Sequence, residues 1–303
     1  MASDPDINEL FAPLVPARAF SVVLSEAHEV LGHVREPIDA ELWGSDMIGA
    51  LSRSAPDAAA GARNLTDALV PACEEAATPE ALALLRIFAA IGSAGLRDAA
   101  ARAADRVAAL GVPEQSWVAD LGLPRVADCW HYSDIGGRQE SVTACFAYGD
   151  KQHALSVLID HGRGGKIKDA WVGDAAGLLD KTFMAAEADP LVVFERLSAA
   201  QAHRRLSLAI SAGEAPTNPD QRDDLVAYRA LFHARMNLLA IESAITPGGD
   251  ASPASRRPGS RWPTPPAMSR RRSSTRCARP GWRSPGPATA PCSFAPPATV
   301  MPT

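Results

Sequence analysis

Long apolar runs are missing from this sequence. None approaches the roughly 20 residues that a helical membrane span needs, so no partner in a membrane is expected. The first residues, Met1-Ala2-Ser3-Asp4-Pro5-Asp6, are acidic and lack a basic stretch followed by an apolar one, so they do not read as a secretory signal. Cysteine is scarce and scattered, at Cys73, Cys129, Cys145, Cys277 and Cys292, which excludes a disulfide scaffold and makes the cytoplasm the expected location. Aromatic residues make up only 6% of the 303, so the expected cores are rich in Ala, Leu and Val with close helix contacts. A nucleophile elbow, a dinucleotide-binding glycine fingerprint and an EF-hand loop are all absent, and no cofactor is expected.

Acidic residues, Lys, Leu and Ile are absent from residues 251–303, which instead hold nine Arg and 12 of the 25 prolines. With so few aliphatic side chains, this segment cannot bury enough surface to offset chain entropy, so 246–303 is expected to be a disordered tail. It also has the composition of G+C-rich coding DNA read out of phase, which points to a change of reading frame near residues 246–255; the alternative is a natural Pro/Arg-rich tail whose Arg270-Arg271-Arg272 binds nucleic acid or an acidic partner. The net charge of the chain is −5, and the +9 of this segment leaves −14 over residues 1–250. An acidic body argues against nucleic-acid binding by the folded part and suits a protein partner.

Residues 6–122 read as an α-helical domain. Phe20, Val23, Leu24, Ala27, Val30, Leu31 and Val34 recur at helical spacing over 17–34. Asp39 is the expected cap of a second helix over Leu42, Trp43, Met47, Ile48 and Leu51, and a third covers 57–76. Thr78-Pro79-Glu80 supplies a capping hydroxyl, a proline at the first helical position and an acid in the first turn. The helix it opens stops at Gly92, and a partner over 96–110 completes an αα-hairpin.

The period changes after Pro124. Short segments at 126–134, 140–148, 153–160 and 167–172, separated by glycine-containing turns, predict an antiparallel β-meander in a domain of 123–245. Val142, Ala144, Phe146 and Tyr148 alternate with Ser141, Thr143, Cys145 and Ala147, the period of a half-buried strand. A helix capped by Asp174, a fifth strand near 191–197, a helix opened by the capping box Ser198-Ala199-Ala200-Gln201 and a last helix over 221–243 complete an α+β fold.

The stretch Asp160-His161-Gly162-Arg163-Gly164-Gly165-Lys166-Ile167-Lys168-Asp169-Ala170-Trp171-Val172, following Phe146-Ala147-Tyr148-Gly149, resembles a family of high-G+C actinobacterial proteins of no known activity. The likeness covers about residues 10–245. It implies no reaction, and it implies that the Arg/Pro-rich tail departs from the family's pattern.

Four constellations carry candidate chemistry. His28 and His33 stand five apart, about 140° round a helix, whereas two zinc ligands on one helix face need a spacing of four. Gly162–Lys168 lacks the first glycine and the hydroxyl residue of a phosphate loop and fits a tight hairpin instead. Cys129 and His131 share a strand face and, with Cys145 and His153 on neighbouring strands, supply zinc-ligand types but no ligand knuckle, so no metal is expected. Asp160, His161, Lys168 and Asp169 surround one turn and have side chains suited to acid–base catalysis. A nuclease of the PD-(D/E)xK kind needs an acid two residues before its lysine, and here Asp169 follows Lys168. These patterns lead to a non-catalytic cytoplasmic binding or interaction protein, with a hydrolase or nuclease acting at the Asp160–Asp169 turn as the alternative.

Overall fold

A computed structural model describes residues 14–55 and 58–245. The tail expected over 246–303 lies outside the described residues. Helix α1 (Leu14–Leu31) buries Phe20, Val23, Ala27 and Leu31 along one stripe. Helix α2 (Pro37–Ser54) begins with Pro37 at its first position and Glu36 as N-cap. The expected cap Asp39 instead lies in the first turn, because Pro37 has no N–H to satisfy and fixes the helical φ two residues earlier. Helices α3 (Ala58–Arg63) and α4 (Val70–Ala76) join through a π-helical segment, Asn64–Leu69. Thr78 Oγ1 accepts the Ala81 N–H at 3.2 Å and starts α5 (Pro79–Ile91), which runs back-to-back with α6 (Ala94–Ala109).

Helix α5 is the centre of this half, with Leu82, Leu84, Leu85, Ile87 and Phe88 all at 0% exposure. Glycines let α2 approach its neighbours. A Cβ on Gly44 would stand 2.2 Å from Ile87 Cγ2, and one on Gly49 would stand 2.5 Å from the Val226 carbonyl oxygen of the last helix. Few aromatic residues are needed where helices pack this closely.

The five strands are β1 (Arg125–Asp134), β2 (Gln139–Tyr148), β3 (Lys151–Asp160), β4 (Lys166–Asp174) and β5 (Val192–Leu197). They form one antiparallel sheet in the order β4-β3-β2-β1-β5. The β3–β4 turn uses Gly164 and Gly165 at φ +83° and +74°, the left-handed conformation that glycine adopts without strain. Helix α7 (Ala175–Ala188) is capped by Asp174 Oδ2 on the Gly177 N–H at 2.8 Å. The Ser198 capping box opens α8 (Ala199–Ala212), and α9 (Pro219–Ile245) closes the described chain.

Sequence alternation predicts a half-buried β2, yet both of its faces are covered. Val142, Ala144 and Phe146 pack with α8 and α9, while Cys145 packs with Ala154 and with Ala175 of α7. The second face is small and uncharged (Ser141, Thr143, Cys145, Ala147), which is what permits its burial. Helix α9 belongs to both cores: Leu231 joins the helical cluster, and the adjacent Phe232, with Leu225, Met236 and Leu239, joins the sheet cluster.

Candidate functional site

The four turn residues do not converge. Asp160 accepts from Gln139 Nε2 at 3.4 Å and lies 3.8 Å from Arg163 Nε. The His161 ring turns to Glu140, Nε2 to Oε1 at 3.0 Å. Asp169 turns the other way, accepting the Ala170 N–H at 2.9 Å and Gln221 Nε2 of α9 at 3.2 Å. Lys168 is the extra residue of a β-bulge: Leu158 pairs with Asp169 and Ile159 with Ile167, so Lys168 has no partner across the ladder. The bulge brings Ile167 and Ala170, three residues apart, onto the same buried face.

The possible zinc ligands are likewise divided. Cys129 and His131 pair with Ala144 and Val142, whereas Cys145 projects from the opposite face of β2 into the α7 cluster. His153 pairs with Phe146, four residues along β2 from Val142 and so about 13 Å away. Burial pushes the thiols of Cys73, Cys129 and Cys145 up to about 12, so none is a thiolate near neutral pH.

Two buried polar clusters are not anticipated from the sequence. In the first, Glu140 at 6% exposure receives His131 Nε2 at 2.9 Å, His161 Nε2 at 3.0 Å and Arg205 Nη1 of α8 at 2.7 Å. His131 Nδ1 also meets Glu195 Oε1 of β5 at 3.2 Å. Burial pushes the Glu140 carboxyl up, but the His131 bond, the Arg205 charge and the His161 bond outweigh it and hold it at about 2. In the second, Glu41 of α2 and Arg235 of α9 form an ion pair at 0% and 1% exposure. Glu41 Oε1 also accepts the Tyr148 hydroxyl at 2.7 Å and the Gly122 N–H at 3.1 Å. Arg235 Nε donates to His153 Nε2 at 3.2 Å, and its guanidinium lies over the Phe146 and Tyr148 rings. Burial and the Arg235 charge push His153 down to about 3, so it is the neutral acceptor that this bond requires. In both clusters each charge is met by charges or hydrogen bonds from other elements, an arrangement suited to fixing the fold.

A concave site lies elsewhere, between β4, α8 and α9, with a volume of about 230 Å³. Its floor is Ile167, Ala170, Leu225 and Phe232, each at 6% exposure or less. Ile210, Gly213 and Tyr228 form the walls. At the rim Arg229 grips Glu214, Nη2 to the two carboxylate oxygens at 2.9 and 2.7 Å. His233 also lines the rim, and burial together with Arg229 holds its ring below the ordinary histidine range. An apolar floor under a few polar rim groups is the usual build of a binding cleft. The sequence conceals it because its residues come from three elements and the bulge at Lys168 resets the facing of β4.

No family model, curated protein or solved structure matches the chain. Among the described residues, no helix is long and apolar enough to cross a membrane.

Proposed function

We propose that this chain is a non-catalytic binding protein of the cytoplasm whose protein partner inserts a side chain into the cleft between β4, α8 and α9. The observation that carries this reading is the cleft itself: a preformed apolar floor of Ile167, Ala170, Leu225 and Phe232 opening between two helices and a strand. Such a depression suits the anchor residue of a protein contact, where most binding energy concentrates in a few buried side chains. The divergence of His161 and Asp169 to different neighbours also supports binding over hydrolysis at the Asp160–Asp169 turn.

The test compares affinity capture from native cells by the wild-type chain, by Ile210→Trp, which fills the cleft, and by Tyr228→Ala, which opens its wall. Folding of each is checked by circular dichroism. The expected result is a specific protein retained by the wild type and lost with Ile210→Trp. Capture indifferent to both substitutions, or turnover in a hydrolase or nuclease screen that disappears in Lys168→Ala or Asp169→Ala, contradicts the proposal.

A further inference from the structure

Carboxylates gather next to the cleft, just outside the residues that line it, where Asp169 accepts from Gln221 in the first turn of α9. Asp220, Asp223 and Asp224 occupy the first turns of α9, immediately before the floor residue Leu225, and Asp169 precedes the floor residue Ala170. Tyr228 belongs to both groups: it walls the cleft, and its hydroxyl is pushed up by burial and by Asp224, Asp46 and Asp169. Partial burial, followed by Asp169, Asp220 and Asp223, pushes the Asp224 carboxyl up to about 6. Nearby cations offset part of this, Lys168 acting on the neighbouring Asp169. Arg229 is committed to Glu214, and Arg53 reaches Asp223 only at 3.6 Å between two exposed side chains.

We propose that the cleft takes a cationic peptide segment with a single apolar anchor: a leucine- or phenylalanine-sized side chain fills the cleft, and flanking Lys or Arg residues meet Asp169, Asp220, Asp223 and Asp224. This rests on the binding reading above and adds the chemistry of the partner. Apolar burial supplies the anchor, and opposite charge beside it sets the partner's composition and speeds its approach.

The test uses fluorescein-labelled peptides and anisotropy at low ionic strength. One is a short Arg/Lys-rich peptide with a central Phe, the second replaces that Phe by Ala, and the third replaces every Arg and Lys by Glu. The first is expected to bind best, with each of the others at least about tenfold weaker. The exposed triple variant Asp220→Asn/Asp223→Asn/Asp224→Asn is expected to weaken the first peptide about tenfold, two- to three-fold per carboxylate, and salt near 0.3 M to weaken it further. Equal binding of the cationic and acidic peptides overturns the proposal. So does cationic binding that survives Ile210→Trp, which is non-specific attraction to an acidic surface. Failure of all three peptides overturns it as well. If Ile210→Trp still abolishes capture of the cellular protein, the cleft stands as a binding site and only the cationic partner is lost.

Discussion

Arg235→Met separates the two charges that join α2 to α9. The substitution keeps an apolar stem over Phe146 and Tyr148 but leaves Glu41, at 0% exposure, without its counter-charge. Breaking a buried pair from one side costs about 3–5 kcal/mol, a large share of the roughly 5–15 kcal/mol that holds a typical domain together. Removing both charges with Glu41→Leu/Arg235→Met eliminates the uncompensated anion and both desolvation costs. What remains is the Tyr148 hydroxyl without its acceptor, since the Gly122 N–H retains Tyr148 Oη at 3.2 Å, and His153 Nε2 without the Arg235 donor. Each orphan costs about 1–3 kcal/mol, and the one at His153 is common to Arg235→Met and the double variant. The double variant is therefore expected to be more stable than Arg235→Met alone. Urea unfolding at neutral pH, followed by circular dichroism, measures all three proteins. A single-variant loss below about 1 kcal/mol refutes the claim that the pair is buried and coupled. So does a double variant as unstable as two independent losses, about 6–10 kcal/mol.

The remaining predictions concern charge, packing and the tail. The Glu140 carboxyl lies below its unfolded value, so its contribution is fully present above about pH 4.5 and is lost as pH falls toward about 2. Glu140→Gln should cost about 2 kcal/mol at pH 7 and flatten the acid limb of stability measured between pH 5 and pH 2; an unchanged acid limb contradicts this. Gly44→Ala drives a methyl into Ile87 of α5 and should cost about 1–3 kcal/mol in thermal or urea unfolding, whereas Gly95→Ala, with nothing within 4 Å, should not destabilise. For the tail, translation of the gene's other two frames past codon 246 should reveal an open frame encoding acidic, leucine-containing sequence; stop codons in both frames refute a frame change.

Local signals in the sequence carry local structure well. Thr78, Asp174 and Ser198 cap their helices as their motifs indicate, and the alternation in β2 places Val142, Ala144 and Phe146 on one buried face. Glu140 shares that alternation and Arg235 stands three and four residues after Phe232 and Leu231, so their positions on core faces were legible. Their partners were not: Glu41 and Arg235 are 194 residues apart, and no local period encodes such a contact. The turn at Asp160–Asp169 shows the opposite limit of local reading. Proximity in sequence gathers four reactive side chains, but strand pairing and the bulge at Lys168 send His161 and Asp169 to different neighbours. The cleft required three elements to be placed together before its floor existed.

Binding at the cleft is tested most directly by amide chemical-shift mapping of the isotope-labelled chain, titrated with the protein captured from native cells. The account predicts shifts concentrated at residues 167–170, 210–214 and 225–233, abolished by Ile210→Trp. Shifts centred instead on His131, Glu140 and residues 160–163, with the cleft unmoved, would contradict it.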